Sequence, residues 1–215
     1  MGQMNKLVFF LLLLPQLFWG QAISFEVGAV SSSYYYKNSN NEKLTTLDPG
    51  RSTGVALMGY KSLGYQRDAN SIKFGLRYQQ LNARGYVVDV PINYQTQFLS
   101  LSGAYEANPY TIYVNEYCAN CVKIRVITSL GAEVAKIFSG TQKVGNQETY
   151  RLVDDPEFNG FLYGPVGAAG LEVDLFNSTT MLLNYHYTYF FNSHSAPERL
   201  FFGRSMLSVG IKSAL

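Results

Sequence analysis

The chain has 215 residues, of which 47% are hydrophobic, 15% aromatic and 15% charged. This apolar content excludes a disordered chain, and a mean hydropathy near zero excludes a polytopic helical membrane protein. The 17 basic and 15 acidic residues give a formal charge of +2, which supplies no electrostatic argument for a nucleic-acid partner. The 17 Tyr, 14 Phe and 19 Gly residues favour strands and tight turns, so a single all-β domain is the simplest interpretation.

The N-terminal segment has the pattern of an export signal. Lys6 precedes an apolar run at residues 7–14, and residues 20–22 form a small-x-small cleavage pattern. The run is too short for a transmembrane helix, which needs about 20 apolar residues. There is no Cys at the cleavage site, so a lipid anchor is not expected. We therefore expect a cleaved signal peptide over residues 1–22 and an outer-membrane barrel domain over residues 23–215.

Apolar and polar residues alternate with period two through the rest of the chain. The clearest segment places Ile72, Phe74 and Leu76 on one face and Lys73 and Arg77 on the other. Strands are predicted at residues 23–36, 52–62, 71–81, 86–101, 122–139, 164–176, 180–192 and 199–215. These lengths exceed the average of about 5 to 6 residues in soluble proteins and suit a tilted transmembrane strand of about 9 to 11. The pattern predicts an all-β fold, an eight-stranded antiparallel up-and-down transmembrane β-barrel with its apolar residues facing lipid.

A hairpin turn is predicted between the third and fourth strands. The tetrapeptide Asn82-Ala83-Arg84-Gly85 has the residue types of such a turn. The strand that follows it has Val90, Ile92 and Phe98 on one parity, the face assigned to lipid, and Asp89 and Asn93 on the other.

The remaining connections are assigned from the even strand count. An even number of strands returns the chain to its starting side, so both termini are expected in the periplasm. The polar, turn-rich segments 37–51 and 140–163 are then outer loops. Residues 176–179 form a short periplasmic turn, and residues 102–121 form an unusually long periplasmic connection.

The polar faces of the predicted strands carry charges of both signs. An eight-stranded barrel is just wide enough to be filled by its own side chains. Opposite charges among small residues therefore favour an ion-paired, packed lumen over an open water column. A soluble lipocalin-type barrel with its apolar face inside is the alternative. The candidate lumen ion-pair residues are Glu26, Lys73, Arg77, Asp89, Lys123, Arg125, Glu133, Glu172, Asp174, Arg204 and Lys212.

Four segments resemble a known family. They are Gly75-Leu76-Arg77-Tyr78, Val88-Asp89-Val90-Pro91-Ile92-Asn93-Tyr94, Ser129-Leu130-Gly131-Ala132-Glu133 and the C-terminal strand with its apolar end. In these segments the chain resembles the small bacterial outer-membrane β-barrel domain family, in particular its PorT-like group, which is related in architecture to the OmpA transmembrane domain. The resemblance implies an outer-membrane location, with outer-membrane lipid and the barrel-assembly machinery as partners, but no particular reaction. The chain departs from the family at Leu215, where an aromatic residue is commonest, and in an insertion with two Cys.

The two cysteines form a Cys-x-x-Cys motif at Cys118 and Cys121. In an exported chain with no other Cys, this spacing predicts a local disulfide. A redox-active pair would need a helix N-terminus to lower the thiol pKa, and a zinc site would need two further ligands. Neither context is evident, so no metal or other cofactor is expected, and a redox pair or free thiols are the alternatives.

The two histidines raise the question of an enzyme. His186 lies on the inward parity of the seventh strand, and His194 lies in the last outer loop beside Ser195. Adjacent strand residues point to opposite faces, so His194 and Ser195 could not act together without a turn. Only a loop residue such as Glu198 could orient the histidine. We therefore expect no enzymatic activity.

The sequence predicts location and architecture better than activity. The expected role is structural, adhesive or in envelope assembly, with a packed polar lumen and another envelope protein as a candidate partner. A narrow channel or transporter for small solutes is the alternative, and a lipid-modifying enzyme is the third hypothesis.

Overall fold

The structure, a computed structural model, covers the strands of the domain and part of their connections. The described residues are 22–37, 43–44, 47–64, 70–87, 90–114, 122–145, 148–154, 158, 160–176, 178–193 and 199–215. The predicted signal peptide lies outside the described residues except for Ala22. In the described part of the chain, no helix is long and apolar enough to cross a membrane.

Eight long strands of 14 to 25 residues dominate the described part of the chain. They are β1 (Ala22–Lys37), β3 (Leu47–Ser62), β4 (Ser71–Val87), β5 (Val90–Val114), β6 (Val122–Val144), β8 (Phe161–Phe176), β9 (Thr179–Asn192) and β10 (Arg199–Ala214). Two short strands, β2 (Lys43–Leu44) and β7 (Glu148–Arg151), and a 3-10 helix (Leu152–Asp154) lie between them. The long strands are rich in the β-branched and aromatic residues that pack well on a pleated surface.

The long strands close into a ring. Each pairs antiparallel with its neighbours in chain order, and β1 pairs with β10 from Ala22↔Ala214 to Lys37↔Arg199. Closure leaves no strand edge with unpaired backbone N–H and C=O groups over the shared length of these strands. Lipid could not form hydrogen bonds to such groups. The prediction of an all-β, eight-stranded antiparallel up-and-down barrel is confirmed. We call the end with Ala22 and Ala214 the terminal end and the opposite end the loop end.

Alternate residues face the lumen and the outside. On β9 the residues Leu182, Asn184 and His186 are buried in the lumen, whereas Leu183 and Tyr185 are exposed outside. Around the barrel the outward parity forms an apolar belt. Its exposed members include Phe25, Leu57, Leu99, Leu101, Leu130, Val134, Leu171, Leu207, Val209 and Ile211. An apolar surface of this extent would drive aggregation in water, whereas lipid solvates it.

The hairpin turn predicted at residues 82–85 is wrong. β4 continues through these residues as a strand, and the β4–β5 pairing extends to Val87↔Val90. Asn82 is held inside the sheet because its backbone N–H donates to Ser32 Oγ on β1 and its side-chain amide donates to the backbone oxygen of Arg51 on the neighbouring strand β3. Asparagine is common in turns, but a strand also accommodates it when its side-chain amide is hydrogen-bonded.

The long connection predicted at residues 102–121 is mostly strand. β5 runs to Val114, and Ser71, the first residue of β4, pairs with Glu106. The β5–β6 hairpin therefore extends beyond β4 at the terminal end. A break in register between Ala107 and Tyr110 accommodates Pro109, because a bulge tolerates the missing N–H of proline.

The two predicted outer loops are shorter than expected, since β3 begins at Leu47 and β6 runs to Val144 before β7 pairs back onto it. At the terminal end, the short turn predicted at residues 176–179 agrees with the end of β8 at Phe176 and the start of β9 at Thr179.

The lipid face predicted for the start of β5 is also wrong. Ile92 and Phe98 are buried in the lumen, whereas Asn93 and Gln95 are exposed outside. Further along β5 the outward residues become apolar, as at Leu99. Near the loop end, the first part of β5 is therefore apolar on its lumen face and polar on its outer face.

Candidate functional site

The lumen is packed with side chains in three layers along the barrel axis. The terminal ionic layer comprises Lys73, Glu106, Arg125, Glu172, Asp174 and Lys212. The central ionic layer comprises Glu26, Arg77, Glu133, His186 and Arg204. The apolar layer, nearest the loop end, comprises Val30, Tyr34, Leu81, Phe98, Ile137, Leu162, Phe190, Phe202 and Met206.

Glu133 on β6 is the centre of the central ionic layer. The guanidinium of Arg204 donates to both carboxylate oxygens, at 2.7 and 2.8 Å, and Arg77 Nη1 donates to Oε2 at 3.0 Å. Ser100 Oγ donates to Oε1 at 2.6 Å. A buried carboxylate is costly unless it is paired and fully hydrogen-bonded. The two arginines from β4 and β10 meet this requirement.

Arg204 connects this layer to the apolar layer. Its Nη1 donates to Gln79 Oε1 at 2.7 Å, and Nη2 donates to Thr188 Oγ1. The guanidinium also lies 5.4 Å from the ring centroid of Phe190, a cation–π contact. The Arg204 side chain is thereby fixed on both its polar and its apolar sides.

His186 joins Arg77 to Glu26. Arg77 Nη2 lies 3.2 Å from Nδ1 of the imidazole, and Nε2 lies 3.2 Å from Glu26 Oε2. Because a guanidinium can only donate, Nδ1 must accept, and the ring proton is on Nε2, which donates to the carboxylate. Ser208 and Asn184 also donate to Glu26, at 2.6 and 3.1 Å. With His186 neutral, the layer has two acidic and two basic charges and is balanced.

Lys212 joins two carboxylates in the terminal ionic layer. Its Nζ lies 2.7 Å from Glu172 Oε1 and 3.7 Å from Glu106 Oε1, and it lies 4.1 Å from the ring centroid of Tyr60. Lys73 Nζ donates to the other oxygen of Glu106 at 2.9 Å. Glu106 is thus shared by two lysines from β4 and β10.

Arg125 completes the terminal ionic layer. Its Nε donates to Glu172 Oε2 at 3.1 Å, and its Nη2 contacts Asp174 Oδ1 at 2.5 Å. Thr180 Oγ1 donates to the same Asp174 oxygen at 3.0 Å. The six charged members are three acids and three bases, so this layer is balanced as well.

The apolar layer is made of interlocking rings. Phe98, Phe190 and Phe202 are each 0% exposed, so water does not reach them. Phe202 packs edge-on against Phe98 at 5.5 Å between ring centroids and against Tyr34 at 4.8 Å. Leu152 of the 3-10 helix is buried in the same cluster.

The structure places most of the predicted lumen residues in these layers. Those that lie in lumen ion pairs are Lys73, Arg77, Arg125, Glu133, Glu172, Asp174, Arg204 and Lys212. Glu26 also lies in the lumen, where it accepts the Nε2–H of His186. Lys123 is half-buried, with Nζ 5.5 Å from the ring centroid of Tyr113. Asp89, Cys118 and Cys121 lie outside the described residues, so the disulfide stays a prediction.

Sequence reasoning missed Glu106 and the contribution of His186 to the ion-pair network. Glu106 lies in the segment predicted as a connection, although its parity matches that of Ser100 and Ser102 on the same strand. His186 is buried in the lumen, in agreement with its inward parity, but nothing in the sequence identifies Glu26 and Arg77 as its partners. Among the described residues, no group of three or more His, Cys, Asp or Glu side chains could hold a metal ion.

A closed eight-stranded antiparallel ring with a charged, packed lumen defines the fold class of the small outer-membrane barrels. Among solved structures, the outer membrane protein OprG from Pseudomonas aeruginosa is similar, with 12% identity over 91% of this chain and 97% of that chain and a TM-score of 0.51. The N-terminal β-barrel domain of Pseudomonas aeruginosa OprF has 12% identity over 91% of this chain and 98% of that chain, with a TM-score of 0.41. Neisserial surface protein A has 11% identity over 90% of this chain and 99% of that chain, with a TM-score of 0.39.

At these identities the likeness concerns the fold alone. No protein family model matches the sequence, and no curated protein is significantly similar to it. The resemblance to the PorT-like group stays a prediction.

Proposed function

We propose that the chain is an outer-membrane barrel that acts as a closed structural or adhesive element rather than as a pore. The observation that supports this most directly is the apolar layer, in which Phe98, Phe190 and Phe202 are inaccessible to water. Ions crossing the barrel would have to displace these rings. In addition, the charges of the two ionic layers have partners of opposite sign within them, except for Glu26, which accepts hydrogen bonds from neutral His186, Ser208 and Asn184; this arrangement favours packing over hydration.

The outer surface supports the membrane location. The apolar belt is bordered by aromatic side chains near the loop end, where Tyr189, Phe191 and Phe201 lie within 6.0 Å of one another by ring centroid. Aromatic girdles at the interface are typical of membrane barrels. Because an even number of strands separates the two termini, the terminal end faces the periplasm and the loop end faces outward in this proposal. Insertion would require the barrel-assembly machinery.

The location is tested by expressing the full chain and fractionating the cells. A membrane barrel is recovered with the outer membrane and changes its gel mobility when boiled, because the folded barrel resists detergent at room temperature. Recovery in the soluble periplasmic fraction, with the same mobility before and after boiling, would contradict the proposal and favour the lipocalin-type alternative.

The closed lumen is tested by conductance in planar bilayers. The proposal predicts no steady current from the folded protein. A narrow channel for small solutes is the second candidate, favoured by the polar lining that runs from Lys73 at the terminal end to Glu133 in the middle of the lumen. Steady ion currents through the wild-type protein would establish the channel instead.

An enzyme acting on lipid is the third candidate. His186 does not support it, because this side chain is 1% exposed and both ring nitrogens have partners inside the lumen. His194 lies outside the described residues. An altered outer-membrane lipid profile that disappears in a His194→Ala variant would be needed to support this candidate.

A further inference from the structure

The outer face of strands β3 to β6 changes from apolar to polar near the loop end. On β4 the outward residues are apolar up to Tyr78, whose ring lies 5.9 Å from that of Phe138 on β6. The next outward residues of β4 are Gln80, Asn82 and Arg84. The Tyr78–Phe138 pair therefore marks the upper border of the apolar belt on this side of the barrel.

A cleft of about 410 Å³ opens above this border. The side chains that give it its character are three cations, Arg51, Arg84 and Lys143, together with amides. The described residues that line it are Gly50, Arg51, Gln80, Asn82, Ala83, Arg84, Asn93, Tyr94, Gln95, Thr141 and Lys143. None of these residues is acidic.

The register of the strands places the cations around the cleft. Arg84 on β4 is opposite Asn93 on β5, which is in turn opposite Lys143 on β6. Neighbouring strands lie about 4.8 Å apart, so the Cα atoms of Arg84 and Lys143 are about 10 Å apart. Both side chains are long enough to converge on a group held between them.

A bulge on β3 shapes the third side of the cleft. The β3–β4 register shifts between Pro49 and Gly54. A Cβ at Gly50 would lie 2.1 Å from the carbonyl oxygen of Asn82, so only glycine fits this close approach. Asn82 Nδ2 donates to the backbone oxygen of Arg51 at 3.0 Å. This hydrogen bond holds Arg51 on β3 beside Asn82 on β4.

The charge of the cleft is not cancelled by ion pairs within the described residues. Asp48 is opposite Arg84 on β3, but the two do not form an ion pair, and Asp48 is exposed. Three cations with adjacent amide donors are a suitable environment for phosphate oxygens, to which charge-assisted hydrogen bonds are strong. The cleft also lies directly above Tyr78 and Phe138, at the border of the apolar belt.

We propose that this cleft binds the phosphate-bearing headgroup of a lipid in the outward leaflet, with the acyl chains lying on the apolar belt below Tyr78 and Phe138. The inference rests on the proposed membrane location of the barrel. Free phosphate has the same recognition chemistry, but it would make no use of the adjacent apolar belt.

The test uses the full chain folded into phosphatidylcholine nanodiscs that contain either bis-phosphorylated lipid A or its dephosphorylated form. Native mass spectrometry counts the lipid A molecules retained per protein. The wild type should retain the phosphorylated form and not the dephosphorylated one. The triple variant R51Q/R84Q/K143Q should lose retention about tenfold, because the charge-assisted contacts are removed.

The matched control is Lys61→Gln, which removes an exposed cation of β3 at the terminal end, far from the cleft. This variant should retain lipid A like the wild type. Equal retention by the triple variant and the wild type would overturn the inference, as would equal retention of the two lipid forms. Full displacement of lipid A by equimolar inorganic phosphate would also overturn it, in favour of a soluble ligand.

Failure of the membrane proposal is detected separately. A protein that does not enter nanodiscs and shows no heat-dependent gel mobility contradicts the membrane location itself. A protein that enters nanodiscs and shows that mobility, but does not retain lipid A, contradicts only the headgroup site.

Discussion

At the scale of single residues, Glu133 has the largest expected effect on stability. Its carboxylate is shared by Arg77 and Arg204, and all three side chains are almost fully buried. Removing its charge leaves two guanidinium groups unpaired in the lumen, which typically costs about 3 to 5 kcal/mol. We expect Glu133→Gln to lower the free energy of unfolding by this amount, measured by urea titration of the heat-dependent gel mobility in detergent.

Asp174 is the matched comparison for Glu133. It is also paired with an arginine, Arg125, but its side chain is 27% exposed at the terminal end. Solvent screening reduces the contribution of such a pair to about 1 kcal/mol or less. Asp174→Asn should therefore unfold at nearly the wild-type urea concentration. Equal losses in Glu133→Gln and Asp174→Asn would contradict the assignment of Glu133 as the centre of the lumen network.

The protonation of His186 is a second prediction at this scale. Arg77 donates to Nδ1 and Glu26 accepts from Nε2, so the neutral Nε2–H tautomer is expected. Nitrogen-15 NMR of the folded protein in micelles should show one protonated and one unprotonated imidazole nitrogen for this residue. Two protonated nitrogens at neutral pH would mean that the Arg77 contact does not form.

At the scale of strands, a pair of glycines tests the close contact of β5 and β6. A Cβ at Gly131 would lie 2.0 Å from the carbonyl oxygen of Gly103, whereas a Cβ at Gly103 has nothing within 4 Å. Gly131→Ala should force the two strands apart and destabilise the barrel by about 1 to 3 kcal/mol, as overpacking does. Urea unfolding measures the loss. Gly103→Ala is the control on the neighbouring strand, and destabilisation of this variant to the same degree would contradict the prediction.

The strands also show that hydrophobic alternation predicts which residues share a face better than it predicts whether that face contacts lipid, water or the lumen. On β4 the polar parity of Lys73 and Arg77 faces the lumen as expected. On β5 the same pattern predicts that Ile92 faces lipid, and this is wrong, because period two separates two faces without indicating which of them is covered. Above the apolar belt the outside is polar and the lumen holds the apolar layer, so the parity rule reverses within one strand.

The ends of the strands are the second feature that could not be predicted from the sequence. Glu106 lies in segment 102–121, which is predicted as a connection and contains Pro109, a residue that disfavours the interior of a strand. In the barrel that proline lies in a β-bulge, where the neighbouring pairs Ala107↔Thr128 and Tyr110↔Val126 continue the β5–β6 ladder. A local signal for a turn is overridden here by long-range pairing, which no single segment encodes.

At the scale of the whole molecule, the order of the layers determines what the barrel can do. The two ionic layers are charge-balanced and lie toward the terminal end, whereas the apolar layer separates them from the loop end. Ring closure fixes this order, because β1 and β10 bring Glu26 and Arg204 into the same lumen from opposite ends of the chain. If the barrel is closed as proposed, we expect the barrier to be formed by a few rings near the loop end rather than by the charges.

Opening the apolar layer should convert the closed barrel into a conducting one. Phe98→Ala together with Phe202→Ala removes two rings that pack at 5.5 Å in the middle of the layer, and the ionic layers below them already offer a polar lining. We expect steady currents from this double variant in planar bilayers and none from the wild type.

The control Leu99→Ala with Leu207→Ala trims exposed outward residues on the same two strands and should not conduct. Because large-to-small core changes cost about 3 to 5 kcal/mol each, heat-dependent mobility must first show that the double variant is folded. A folded double variant that carries no current would locate the barrier in the ionic layers instead, where Arg77 and Arg204 close around Glu133.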